Sequence, residues 1–321
     1  MRRRNFLAAS AAAAGAALAP QFATNARGAA GGPGDFRPIP QRPLGKTGWK
    51  LSILGMGGIV IMGATPAIAN NTVAEAVDAG VNYFDVAPSY GDAQQLLGPA
   101  LKPYRDRVFL ACKTGARDRA GAAAALDESL QMLKTDHVDL YQFHALTTTE
   151  DVERIMAPGG AMEAFEAGRK AGKLRWIGFS AHSPEAALAA LDRYPFDTVL
   201  FPVNFVLTSR ENFGPQVIAR AHEKGAGMLA IKAMAKGRWP ASLHGRARPN
   251  PKEWYEPCSV PEEAALALRW TLSQNITAAI PPGDERYFPL AMYVAQNFRP
   301  IRPEEEKLLM SHARNVQPIF G

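Results

Sequence analysis

The chain has 321 residues, 47% of them hydrophobic and 21% charged, with a formal net charge of +6. That balance excludes a disordered chain and supplies enough apolar surface for a large core. No basic stripe with interleaved aromatics occurs, which excludes a nucleic-acid footprint, and two cysteines are too few for a four-thiolate cluster.

The first 26 residues, MRRRNFLAASAAAAGAALAPQFATNA, set Arg3 and Arg4 ahead of Phe6 and Leu7 and then run into small residues. This resembles a bacterial twin-arginine signal. It predicts passage through the twin-arginine export machinery to the periplasm. An uncut signal acting as an anchor is the alternative. Gly15, Pro20 and an apolar run shorter than the ~20 residues of a span argue against a transmembrane helix. Removing residues 1–26 takes away three arginines and no acid, leaving a charge of +3. Residues 27–40 read as a flexible linker, and 41–321 as one domain.

Within that domain, RPLGKTGWKLS (42–52) predicts a short hairpin. β-rich runs follow at 52–58, 81–85, 108–113, 138–144, 174–180, 198–204, 227–232 and 277–281. Several are almost continuously apolar, as strands covered on both faces are. Amphipathic stretches lie between them. Residues 120–134 repeat apolar positions at helical spacing. Residues 183–194 open with Ser183 as N-cap and Pro184 at the first helical position. Residues 261–274 begin with Pro261 and two acids, and 303–315 read as a terminal helix. Eight such repeats predict a single-domain (β/α)8 TIM barrel with the hairpin before its first strand. A doubly wound sheet is the runner-up, but GMGG (55–58) lacks the last glycine of a dinucleotide fingerprint. The longest connection, about 233 to 260, has the length of a functional or disordered loop.

In a barrel the C-terminal strand ends form the active face. The second strand delivers Asp85 and then Tyr90. The third ends in Lys113, the fourth in His144 and the fifth in Ser180. A phenol is a poor acid at neutral pH, and an adjacent ammonium favours the phenolate. Asp85 would hold Lys113 in place, and His144 would orient a carbonyl or relay a proton. This set polarises and protonates a carbonyl while another species supplies hydride. The chain carries no redox group, so a nicotinamide cofactor is the expected donor. Taken singly, each residue also has a structural reading: an ion pair for Asp85 and Lys113, packing for Tyr90 and His144. Neither H-x-H nor H-E-x-x-H occurs, so no metal site is expected.

FDVAPSYG, ACKTG, VDLYQFH and GRKAGKLRWIGFS occur in that order. They resemble the aldo-keto reductase motifs F-D-T-A-x-x-Y-G, the strand ending in a catalytic lysine, D-L-Y-x-x-H and G-K-(I/V)-R-x-I-G-x-S. The resemblance covers about residues 41 to 316. It implies a catalytic tetrad of Asp85, Tyr90, Lys113 and His144, with Tyr90 as general acid. It also implies NADP, with NAD as the alternative, extended across the barrel mouth, and a small-molecule aldehyde or ketone as substrate. Cofactor contacts would fall at Gly58, Asp85, Ser180, Asn204, Lys232, Met234, Gly237, Gly283 and Arg286. The chain departs from the family pattern at Ala181, Leu200 and Ile231 on the nicotinamide side, and at Met292 and Tyr293 on the adenosine side. These departures keep a second reading open, a nucleotide-binding sensor or regulatory barrel with little turnover.

Four further sets of residues carry paired readings. His182 faces the mouth or lies on the loop surface. Trp239, Trp254 and Tyr255 wall a substrate pocket or pack on the rim. Lys232 and Lys236 reach cofactor phosphates or are solvated. Cys112 and Cys258 pair, or stay as free thiols with Cys112 buried.

Overall fold

Eight short parallel strands form the centre of the structure, a computed structural model that describes residues 37–243 and 246–321. The expected signal, and the linker up to residue 36, lie outside the described residues. An antiparallel pair comes first, β1 (Gln41–Pro43) with β2 (Lys50–Ser52), where the hairpin was expected. The parallel strands are β3 (Met56–Gly57), β4 (Tyr83–Asp85), β5 (Phe109–Thr114), β6 (Val138–Leu146), β7 (Leu174–Ala181), β8 (Thr198–Pro202) and β9 (Gly227–Ile231). A small antiparallel ladder, β10 (Ala235–Gly237) with β11 (Glu256–Pro257), precedes the last of them, β12 (Ala278–Ala279).

Around the sheet the order is β3-β4-β5-β6-β7-β8-β9-β12. A parallel bridge from Leu54 to Ala279 closes the ring, with the Gly55 N–H donating to the Ala279 carbonyl at 2.9 Å. The fold is therefore the (β/α)8 barrel and not the doubly wound sheet. Residues Ile39–Gly321 make one compact unit.

The helices are α1 (Pro66–Asp78), α2 (Ala93–Leu101), α3 (Arg119–Leu133), α4 (Thr149–Met156), α5 (Ala161–Lys170), α6 (Pro184–Arg193), α7 (Phe205–Glu211), α8 (Pro215–Lys224), α9 (Pro261–Ser273), α10 (Phe288–Gln296) and α11 (Pro303–Ala313). Their starts follow local chemistry. The Ser183 hydroxyl accepts the Ala186 N–H at 3.2 Å with Pro184 in the first turn, as expected. Asp118 caps α3 and Thr148 caps α4 in the same way. Among the described residues no helix is long and apolar enough to cross a membrane.

Two apolar layers follow from strand alternation. Phe84, Cys112, Tyr141, Phe143, Ile177 and Phe201 face outward and pack under the helices. Tyr83, Phe109, Ala111, Leu140, Leu200, Leu229 and Ala278 fill the interior. The β1–β2 hairpin seals the end where strands begin. Leu44 and Leu51 join the interior cluster, with Trp49 and Trp176 packed against it. Trp49 meets Phe109 edge-on at 5.5 Å, and Phe109 stacks on Trp176 at 5.7 Å. Gly45 makes the hairpin turn possible. Its φ is +49°, and a Cβ there would strike the backbone of Gly225–Gly227. Cys112 and Cys258 are both buried and free, which resolves their pairing against a disulfide.

Candidate active site

The period of two that fills the barrel also delivers its chemistry. Two residues beyond the interior side chain Tyr83 stands Asp85. Two beyond Ala111 stands Lys113, and two beyond Leu140 stands Gln142. All three are buried polar groups on neighbouring strands. The Lys113 ammonium donates to Asp85 Oδ1 in a direct ion pair and to the Val86 carbonyl at 3.4 Å. Asp85 Oδ2 accepts from Tyr83 Oη at 3.1 Å and from Gln142 Nε2 at 3.0 Å. The carboxylate is thus held at both oxygens, as a buried charge requires.

Tyr90 enters from the β4–α2 loop and is half-buried. Lys113 Nζ lies 5.2 Å from the centre of its ring. Burial raises the phenol above its ordinary value. The charge and hydrogen bonding of Lys113 pull it down, and the Asp85 charge pushes it up. Lys113 favours the phenolate, as expected, but burial outweighs it, and the resting phenol keeps its proton. Lys113 itself is raised. Its burial acts the other way, but the charges of Asp85 and Tyr90 outweigh it.

A bulge late in β6 re-aims the next residue, with the register against β7 shifting between Phe143 and Leu146. Ala145 takes φ +55°, a rare conformation for a residue with a Cβ. Three contacts fix it. The Ala145 N–H donates to Ser180 Oγ at 2.8 Å, and Arg117 donates to the carbonyls of His144 at 2.8 Å and Ala145 at 3.1 Å. His144 meets Tyr90 edge-on, ring centres 5.9 Å apart. Burial, then the charges of Lys113, His182, Lys232 and Arg117, push its pKa down to about 3. The imidazole is neutral at physiological pH, so it orients rather than carries charge.

His182 faces this region, settling its paired reading. It stacks on Phe320 at 5.1 Å, and burial followed by the Lys232 charge lowers its pKa to about 3. Unfolded histidines titrate near ~6.5, so the unfolded state binds more protons from there down to about 3. Both groups therefore leave stability intact above ~6.5 and erode it as pH falls from there toward about 3. The slope approaches ~1.4 kcal/mol per pH unit for each histidine. Urea unfolding at pH 7 and pH 5 checks this: His182→Gln should lose less stability over the interval than the unsubstituted chain.

The expected cofactor positions divide. Asn204 Oδ1 caps α7 by accepting the Leu207 N–H at 2.9 Å, while its Nδ2 is buried without a partner. Leu200 belongs to the interior cluster and Ile231, partly buried, packs against it, so apolar side chains stand where the family pattern has polar or aromatic ones. Lys232 sits at the end of β9 with φ +64°, its ammonium 5.2 Å from the ring centres of both Trp254 and Tyr255. Burial drops its pKa to about 8.

Other positions are engaged elsewhere. A Cβ at Gly58 would strike Val86 and one at Gly237 would strike Val316, so both glycines serve close packing. The Met234 carbonyl accepts the Cys258 N–H at 2.9 Å. Gly283 donates its N–H to Glu253. Arg286, expected at a 2′-phosphate, is tied by Nε to Asp284 Oδ1 at 2.7 Å and by Nη2 to the Pro249 carbonyl at 2.7 Å. Lys236 lies 3.9 Å from Glu256 and from Glu263. Trp239 is buried against the loop, its indole donating to the Glu253 carbonyl at 3.0 Å. Trp254, 47% exposed, packs on Phe320 at 5.6 Å.

Sequence reasoning missed Gln142, Arg117, Glu253 and Phe320. Gln142 had a readable signal, a polar residue at an inward position of an apolar strand. The others act across long sequence separations and had none.

The pattern of the aldo/keto reductase family matches residues 53–285. The chain belongs to the aldo/keto reductase family. It is 25% identical to the "Uncharacterized oxidoreductase YqkF" of Bacillus subtilis (strain 168) over 303 residues, 85% of this chain and 96% of that protein. It is 28% identical to L-galactose dehydrogenase of Arabidopsis thaliana over 221 residues, 62% of this chain and 66% of that one. The aldo-keto reductase AKR11C1 from Bacillus halodurans in its holo form shares the fold, with a TM-score of 0.66, 21% identity, and coverage of 87% of this chain and 98% of that one. As a family member the chain is an NAD(P)-dependent oxidoreductase with a carbonyl reductase role.

At the reactive end this reductase's residues fit a nicotinamide. The tetrad residues converge, and the orphaned Asn204 amide offers a buried donor of the kind an amide carbonyl would take. At Gly283, where the family pattern leads one to expect cofactor, the N–H groups of Gly283 and Asp284 hold a carboxylate of the chain itself.

Proposed function

We propose that the chain reduces an aldehyde or ketone to the alcohol, with NAD(P)H as hydride donor and Tyr90 as proton donor. The observation that carries this is the buried Asp85–Lys113 pair set against the Tyr90 ring beside a neutral His144. A bound dihydronicotinamide supplies hydride to the carbonyl carbon. Tyr90 keeps its proton until negative charge grows on the carbonyl oxygen, and then gives it up. Lys113 stabilises the phenolate that remains, and Asp85 keeps Lys113 charged and in place. His144, uncharged, offers a hydrogen bond that fixes the carbonyl. The aromatic surroundings of Lys232, His182 and Phe320 favour a partly apolar substrate. The Arg3-Arg4 pattern supports export of this reductase by the twin-arginine route.

Carbonyl panels mixed with NADPH test the assignment. Loss of nicotinamide absorbance should accompany formation of alcohol, and cofactor deuterated at C4 should pass its label to the product carbon. Cofactor binding with no oxidation by any carbonyl would instead favour the sensor reading.

A further inference from the structure

Residues 249–255 of the long β9–α9 connection are laced to the loop after β12. The Glu253 side chain, 4% exposed, accepts the Gly283 N–H and, at 3.3 Å, the Asp284 N–H, both on Oε1. Asn250 Nδ2 donates to Asp284 Oδ2 and to Tyr287 Oη, each at 3.2 Å. The Pro249 carbonyl accepts from Arg286, and Lys252 reaches the Val60 carbonyl at 3.2 Å and Glu285 at 2.8 Å. The segment thereby spans from the loop after β3 to the loop after β12, the two strands that meet where the barrel closes.

The cradle beneath Glu253 has the make-up of an anion seat. Two successive backbone N–H groups converge on one oxygen, in the loop after the eighth barrel strand, a recurrent phosphate position in this fold. Gly283 is required there: a Cβ would strike Ile59 and lie 3.4 Å from Glu253 Oε1. Lys232 adds a cation whose charge acts on Glu253, and the Glu253 charge acts on Lys232 in return.

We propose that Glu253 fills, with its own carboxylate, the seat that a diphosphate takes, so that Pro249–Tyr255 is a strap that the cofactor must displace. The cofactor's identity as a dinucleotide rests on the function proposed above; the self-occupied seat does not. Binding is then weakened by the fraction of molecules with the strap latched.

Isothermal titration of Glu253→Ala and Glu253→Gln with inorganic pyrophosphate and with NADP⁺ tests this. The alanine variant should bind pyrophosphate at least about tenfold more tightly than the unsubstituted chain, and the glutamine variant should fall between. Equal or weaker pyrophosphate binding by both variants overturns the proposal. Hydrogen exchange on the unsubstituted chain gives a second readout that no variant's folding can confuse. Saturating NADP⁺ should speed exchange of the Lys252–Tyr255 amides; slowed or unchanged exchange overturns the displacement. Tighter pyrophosphate binding in a chain that fails to oxidise NADPH with any carbonyl would sink the reductase reading and leave the seat standing.

Discussion

Tyr90→Phe should lower kcat by about 10²–10⁴-fold, the usual contribution of a positioned general acid, while leaving cofactor affinity within about twofold. The ring survives, so its edge contact with His144 and its packing at the mouth survive with it. Only the proton is lost. Histidine cannot replace it, because an imidazole held near pKa 3 has no proton to spare as an imidazolium at neutral pH. Single-turnover oxidation of bound NADPH by a saturating carbonyl isolates the chemical step from product release. Turnover equal to that of the unsubstituted chain would remove Tyr90 from its role.

Lys113→Met should cost both activity and stability. Methionine leaves the Asp85 carboxylate buried with only Tyr83 and Gln142 as partners. Stranding one member of a buried pair typically costs about 3–5 kcal/mol. The Tm should fall by several degrees, and kcat should fall at least as far as in Tyr90→Phe, since the phenolate loses its counter-charge. The Lys113→Met, Asp85→Asn double variant separates the two effects. Removing the stranded charge should restore much of the Tm and none of the turnover. Calorimetry and the same single-turnover assay read both. Recovery of turnover in the double variant would show that the lysine acts on stability alone.

Much of this was legible beforehand because period and position coincide. Apolar runs of strand length at regular intervals, separated by capped amphipathic stretches, leave few folds other than the barrel. In a barrel the last inward residues of successive strands must meet, so Asp85, Lys113 and His144 needed no contact map. Ser183 and Pro184 marked a helix start through local chemistry, and the structure places it there. What the chain order hid lay in remote partners and in irregular loops. Ser180 reads as a cofactor contact, and its oxygen also accepts the Ala145 N–H that holds the bulge. Arg286 read as a phosphate ligand, yet Asp284 and the Pro249 carbonyl claim it. The connection at 233–260 read as a loop, yet β10 and β11 and the Glu253 contacts organise it. In each case the partner lies tens of residues away or on a loop with no periodic signature. The balance between burial and charge at Tyr90 was equally hidden, because spacing carries the sign of a neighbour's charge but not the depth of the site.

The apolar base built by Leu44, Leu51, Trp49 and Trp176 has a kinetic consequence. Packed side chains at that end oppose the entry of water from beneath, so on the function proposed above a proton given up by Tyr90 is replaced from the rim. Recharging of the acid then draws on the same open end through which an alcohol would leave.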